Sequence, residues 1–146
     1  MGRRWQILVR RNSVAQIAAA ADKPPATATV YFDGGCPICS REIGFYQRQR
    51  GADAIRWVDI TRCEDATLPA GVSRAAAMAR FHVATNNGIE HGAAGFLALW
   101  RELPRFRLIA QLLSVPPLPW LLERGYRLFL RIRPTRNVAD CDICIK

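Results

Sequence analysis

The segment that carries the first two cysteines constrains the fold of this chain more than any other. Residues 29–32 are β-branched or aromatic and predict a strand, which Asp33-Gly34-Gly35 closes in a tight turn. A helix is expected from Cys36 to about residue 50, with Pro37 in its first turn, where the missing N–H of proline costs nothing. The apolar spacing of this helix predicts that Cys39 faces inward and that Cys36 sits at the exposed helix start.

The elements after this helix extend the same pattern. Residues 55–60 predict a second strand, parallel to the first by the right-handed crossover rule. Ser73 is expected to cap a short helix, and Asn86-Asn87-Gly88 to turn a hairpin over residues 81–91. A helix over residues 93–103 then covers the sheet. The fold class predicted is α/β, a thioredoxin-like mixed sheet made of a βαβ unit and a β-hairpin, flanked by helices.

The length and composition predict one domain with two tails. The chain has 146 residues, of which 50% are hydrophobic and 23% charged, a composition too apolar for a disordered chain. We expect a basic N-terminal tail with a proline-rich linker over residues 1–27, a folded domain over residues 28–133, and a C-terminal tail over residues 134–146. The last tail holds a second Cys-x-x-Cys pair, Cys141 and Cys144.

Two further helices are predicted between the helix over residues 93–103 and the C-terminal tail. Their apolar positions are Leu108, Ile109, Leu112 and Leu113 in one helix, and Leu118, Leu121, Leu122, Gly125, Leu128, Phe129 and Ile132 in the other. Packing against the sheet or the preceding helix is the main expectation. Contact with a membrane surface or a partner helix is the alternative, since Trp120, Tyr126 and Leu130 broaden the apolar face.

The net charge of +9 is concentrated at the two ends of the chain. Residues 101–136 hold eight arginines against two acids, whereas residues 26–100 hold seven bases and seven acids. No aromatic and basic motif accompanies the charge, so we expect no nucleic-acid partner. The chain shows no convincing signal peptide and no uninterrupted apolar run of membrane-spanning length, which predicts a cytoplasmic protein, and we expect a monomer.

Cys36 and Cys39 have the spacing that thiol-disulfide exchange requires. The free N–H groups of a helix start favour the thiolate of Cys36, which attacks, while Cys39 is close enough to resolve the mixed disulfide. The turn glycines Gly34 and Gly35 leave the sulfur uncovered, and Pro37 stiffens the turn. Asp33 is a candidate base or proton relay, or a residue that accepts hydrogen bonds from the turn.

Other roles for the cysteines remain open at this point. Cys36/Cys39 and Cys141/Cys144 could together hold zinc, which would make the chain a metal-binding or interaction module. The terminal pair could instead be an auxiliary redox pair that passes electrons to the first, or have no role. Cys63 is expected to be a solitary thiol.

The residues around the first cysteine pair resemble the DCC family of thiol-disulfide oxidoreductases, named for an Asp-x-x-Cys-x-x-Cys signature. The signature residues are Asp33, Cys36 and Cys39, and the similarity extends through residues 41–43, 56–60, 80–83, 92–100 and 126–129. This resemblance implies a thioredoxin-like fold and protein-disulfide reduction or exchange without a bound cofactor. Cys36-Pro37-Ile38-Cys39 is also similar to the Cys-Pro-x-Cys centre of glutaredoxins, which makes glutathione a candidate reductant.

Overall fold

A computed structural model describes residues 25–134 of the chain. The helices and strands follow in the order β1 (Ala28–Phe32), α1 (Pro37–Gln47), β2 (Ile55–Asp59), α2 (Arg74–Ala79), β3 (His82–Thr85), β4 (Gly88–His91), α3 (Ala93–Glu102), α4 (Arg107–Leu113) and α5 (Leu118–Ile132). The predicted tails lie largely outside the described residues, and Cys141 and Cys144 lie wholly outside them.

The four strands form one mixed sheet in the order β2-β1-β3-β4. Strand β1 pairs with β2 in parallel, whereas β3 runs antiparallel to both β1 and β4. Helix α1 supplies the crossover from β1 to β2, and Asn86 and Asn87 turn the hairpin from β3 to β4. The α/β class and the thioredoxin-like mixed sheet predicted from the sequence are therefore confirmed.

Alternating side chains of the central strands fill a core on each side of the sheet. Val30 and Val83 are completely buried on one side, together with Leu99 of α3 and Tyr126 of α5. Tyr31, on the opposite face of β1, packs with Val58, Ile60 and the α2 residues Ala77 and Met78. Helices thus cover both faces of the sheet, and the carboxyl ends of β1 and β2 remain at one edge.

The predicted elements are present, with shifts at their ends. Helix α1 ends at Gln47 and not near residue 50, because Arg48 closes it and Gly51 adopts the left-handed conformation at φ +88°. Ser73 caps α2 as expected, its hydroxyl accepting a hydrogen bond from the N–H of Ala76.

The expectation that the two C-terminal helices bury their apolar positions is wrong for seven of the eleven, which are exposed. On α4 only Ala110 is buried, while Leu108 and Leu112 are largely exposed. On α5 the most buried side chain is Tyr126, which the sequence placed at the margin of the apolar face. Within residues 25–134, no helix combines the length and hydrophobicity needed to cross a membrane.

Candidate active site

A turn between β1 and α1 holds the two cysteines, and hydrogen bonds determine its shape. Asp33 is buried, and its Oδ1 accepts a hydrogen bond of 2.9 Å from the N–H of Gly35. The N–H of Gly34 donates to Oδ1 of Asp59, at the end of the neighbouring strand, over 3.1 Å. The hydroxyl of Ser40 donates to the Gly34 carbonyl over 2.9 Å. The turn is therefore tied both to the sheet and to the first turn of α1.

Cys36 is the N-cap residue of helix α1. Its Sγ accepts a hydrogen bond of 3.3 Å from the backbone N–H of Cys39, and Pro37 occupies the first helical position. A sulfur in this place receives one of the amide donors that a helix start leaves free, and it also lies at the positive end of the helix dipole. The capping geometry therefore gives the Cys36 sulfur a backbone donor at the helix start.

The predicted exposure of the two cysteines is corrected by the structure. Cys36 has no solvent-exposed surface, whereas Cys39 is half-buried. The physical reason is the cap itself, because accepting a hydrogen bond from the Cys39 N–H turns the Cys36 side chain back over the first helical turn. Ile43 and Tyr46, which share the predicted apolar stripe with Cys39, are buried as expected.

The two sulfurs lie 2.7 Å apart, and Cys39 Sγ donates its hydrogen bond to Cys36 Sγ. Burial raises the pKa of Cys39 to about 12, and the hydrogen bond and charge of Cys36 add to this effect. The guanidinium of Arg133 acts in the opposite direction. At neutral pH Cys39 consequently keeps its proton and Cys36 is the acceptor of the pair.

A small, partly enclosed cavity of about 20 Å³ lies beside Cys39, a volume on the order of one water molecule. Its walls include the side chains of Asp33, Glu42, Arg80 and Arg133 among aromatic and aliphatic residues. Most of the surface of this cavity is apolar, and the four charged residues contribute only a small part of it.

Arg133 is buried at the end of helix α5, with 9% of its surface exposed. Its Nη2 donates to the carbonyls of Met78 and Ala79, over 2.5 Å and 3.1 Å, in the segment that leads into β3. Its Nε is also buried and has no hydrogen-bond partner among the described residues. A buried guanidinium is costly unless its charge is used, so its position beside Cys39 indicates an electrostatic role.

Glu42 connects the cavity to a larger apolar groove of about 450 Å³. Burial raises the pKa of Glu42, while a hydrogen bond from the Tyr46 hydroxyl opposes the rise. The groove lies between α3, α4 and α5, and Phe96, Tyr126 and Phe129 line both it and the cavity.

The structure brings most of the predicted site residues together. Asp33, Gly34, Gly35, Cys36, Pro37 and Cys39 form one turn and helix start. Cys63 follows β2 and is half-buried. Within the described part of the chain, no three His, Cys, Asp or Glu side chains are grouped closely enough to hold a metal ion.

Sequence reasoning missed three charged residues of the cavity, Glu42, Arg80 and Arg133. One signal for Arg133 was available, because it lies four residues after Phe129 and seven after Tyr126, on the apolar side of a helix. An arginine on that side is unusual enough to suggest a buried partner. Arg80 and Glu42 carried no comparable signal.

A family model described as DCC1-like thiol-disulfide oxidoreductase matches residues 30–138, a span that includes the whole turn with Cys36 and Cys39 and ends before Cys141. No curated protein and no solved structure matched the chain.

Proposed function

Since the chain belongs to the DCC1-like thiol-disulfide oxidoreductase family, we propose that it reduces or exchanges disulfide bonds of proteins, with Cys36 as nucleophile and Cys39 as resolving thiol. The observation that carries this proposal is the pairing of two free sulfurs 2.7 Å apart at a helix start. Because a disulfide bond is about 2.05 Å long, the two side chains need to move only slightly to form a disulfide when a substrate disulfide oxidises the pair.

The reaction consists of two sulfur exchanges. The Cys36 thiolate attacks one sulfur of a substrate disulfide, forming a Cys36–substrate disulfide and releasing the other substrate sulfur as a thiolate, which takes up a proton. Cys39 then loses its proton and attacks Cys36 Sγ. The second substrate thiol leaves, and two electrons have passed from the cysteine pair to the substrate. A thiol reductant, for which glutathione is our candidate, returns the pair to the dithiol.

The high pKa of Cys39 gives the two steps their order. While Cys36 is a thiolate, its charge and its hydrogen bond hold the proton on Cys39. Once Cys36 is in the mixed disulfide, both effects disappear and only burial still opposes ionisation, against the attraction of Arg133. Cys39 therefore becomes easier to ionise after the first step, and Asp33 and Glu42 line the cavity into which its proton can leave.

The function is tested by insulin reduction with the full chain and a thiol reductant. We expect Cys36→Ser to lose activity by at least about a hundredfold, since no other described sulfur lies at a helix start. Cys39→Ser should accumulate a mixed disulfide with substrate, which mass spectrometry detects. Cys63→Ser is the matched control and should keep wild-type activity. Full activity of Cys36→Ser would show that the proposal is wrong.

The terminal cysteine pair is tested in the same assay with metal content measured alongside. Loss of activity in Cys141→Ser without loss of metal would assign Cys141 and Cys144 an auxiliary redox role. Stoichiometric zinc that disappears in Cys141→Ser would instead favour the metal-binding alternative.

A further inference from the structure

Helices α4 and α5 expose an unusual number of large apolar side chains. Six of them are at least half exposed: Leu108, Leu112, Trp120, Leu121, Leu128 and Ile132, with Leu108 at 78% and Ile132 at 73%. We call these six residues the C-terminal apolar surface. Large exposed apolar side chains that share one helix face are typical of a binding surface, so a partner is expected.

Helix α5 is apolar on two adjoining sides. One side, with Tyr126 and Phe129, packs on the domain core. The other side presents Leu121, Leu128 and Ile132, which recur after seven and eleven residues and so form one exposed stripe. The core therefore uses only part of the apolar side of this helix.

Positive charge borders the exposed stripe. Arg124, Arg127 and Arg131 are exposed on α5, and the only acid of the helix, Glu123, pairs with Arg80 and Arg127 and accepts a hydrogen bond from the N–H of Ala93. Helix α4 begins at the exposed Arg107, and Arg105 precedes it. Apolar side chains flanked by Arg124 and Arg131, neither of which pairs with a described acid, match the two layers of an anionic bilayer, the acyl chains and the phosphates above them.

Trp120 has the position expected of a residue at the boundary between these layers. It is 58% exposed at the first turn of α5, and the Arg124 guanidinium stacks 4.7 Å from the centre of its ring. Tryptophan is enriched at membrane–water interfaces, where its ring is half in the apolar layer. The apolar groove opens beside this helix, since Leu121 is both exposed and part of its wall.

We propose that the C-terminal apolar surface binds an anionic lipid bilayer, with Leu121, Leu128 and Ile132 inserted below the headgroups and the arginines at the phosphates. This inference is independent of the disulfide chemistry. A second copy of the chain is the main competing partner for such a surface, but paired copies would bring the arginines of α5 together without a compensating acid.

The proposal is tested by flotation of the full chain with vesicles. We expect binding to mixed phosphatidylcholine and phosphatidylglycerol vesicles, little binding to phosphatidylcholine alone, and release as salt rises from about 0.1 M to about 1 M. The double variant Leu128→Ser/Ile132→Ser should bind at least about tenfold more weakly. The affinity of the Arg124→Gln/Arg131→Gln variant for these vesicles should fall about thirtyfold, which is about fivefold for each arginine.

Matched controls lie outside the surface. Ile89→Ser removes another exposed apolar side chain and Arg56→Gln another exposed arginine, and both should bind like the wild type. All variants should keep the wild-type melting temperature and insulin reduction. Equal binding by the Leu128→Ser/Ile132→Ser variant, or no binding to either vesicle, overturns the proposal. A dimer in light scattering that this variant converts to monomer would assign the surface to a second copy.

Discussion

In the proposed mechanism, single residues around Cys39 control whether the second exchange step can proceed. The proton of Cys39 is held by burial and by Cys36, and the positive charge of Arg133 opposes both. Arg133 also binds the carbonyls of Met78 and Ala79, so it supports the segment that faces the sulfur. The effect of the Arg133 charge can be distinguished from that of its hydrogen bonds by comparing two substitutions, Met and Lys.

Replacing Arg133 by Met should slow the release of substrate from the mixed disulfide. Without the guanidinium the pKa of Cys39 rises, so the pH at which resolution reaches half its maximal rate moves upward. At neutral pH we expect the rate of resolution to fall about tenfold, which is the effect of roughly one pKa unit. Single-turnover decay of a Cys36 mixed disulfide, followed against pH, measures it.

The matched substitution is Arg131→Met, two residues earlier and exposed, which should leave the pH profile in place. Arg133→Met should also lower the free energy of unfolding by about 1–3 kcal/mol, because the carbonyls of Met78 and Ala79 lose their donor. Arg133→Lys keeps the charge and should restore most of the resolution rate. An unshifted profile in folded Arg133→Met would exclude the electrostatic role.

The identities of the two cysteines were predictable from the sequence, but their exposure was not. A strand, a glycine turn and a proline locate the helix start at Cys36 from local preferences alone. Whether that sulfur reaches solvent depends on the direction in which the cap turns the side chain and on what packs over it. Arg133 lies 94 positions after Cys39 in the sequence. Only the packing of α5 brings the two side chains close together.

At the level of elements, the turn after β1 depends on close contact with β2. Gly34 lies against the Asp59 carboxyl group, and a Cβ on Gly34 would overlap that group. The same carboxyl accepts hydrogen bonds from the N–H of Gly34 and from the N–H and hydroxyl of Thr61. Glycine is thus required there by space.

Gly34→Ala should destabilise the fold by about 2 kcal/mol or more, since the clash forces the turn away from β2. Gly125→Ala is the matched control, because a Cβ at this exposed position of α5 would meet no atom within 4 Å. That change should stabilise by about 0.5–1 kcal/mol through helix propensity. Urea denaturation of both variants measures the contrast, and equal effects would contradict the close-contact explanation.

Element types were predicted well because each has a local pattern, such as the Asn-Asn-Gly turn or the Ser73 cap. The burial of the last two helices was not predicted well, because periodicity identifies an apolar side without showing whether the domain or another partner covers it. Leu122 and Leu128 have the same side chain in the same helix, yet Leu122 packs against the core and Leu128 is exposed.

For the molecule as a whole, Glu123 joins α5 to the rest of the domain. Its carboxylate pairs with Arg80 and accepts a hydrogen bond of 3.2 Å from the N–H of Ala93, at the start of α3. Burial opposes its ionisation, but the hydrogen bonds from Ala93, Arg127 and Arg80 hold the pKa of Glu123 below its ordinary value. The docking of α5 therefore depends on a charged carboxylate.

Because of this charged carboxylate, the free energy of unfolding depends on pH. A carboxyl group whose pKa is lower in the folded state contributes its full stabilisation above the ordinary value of 4.5 and loses it as the pH falls through the folded value. The range from about pH 6 to about pH 3 spans the ordinary pKa of a glutamate. Over this range the free energy of unfolding of the wild type should fall by up to about 1 kcal/mol more than that of Glu123→Gln. Denaturation midpoints at the two pH values give the difference.

The control for this titration is Glu90→Gln, which removes an exposed carboxylate on β4 and should follow the wild-type pH dependence. If Glu123→Gln lost as much stability in acid as the wild type, the linkage between α5 and the core would not depend on this charge.

The complete burial of Cys36 has a kinetic consequence. In the proposed reaction a protein disulfide cannot touch this sulfur while Cys36 is fully buried, so attack passes through a minority conformation in which the sulfur is uncovered. The measured rate constant is then the population of that open form multiplied by its intrinsic reactivity. A change that stabilises the buried form by about 1.4 kcal/mol would slow the reaction tenfold without altering either sulfur.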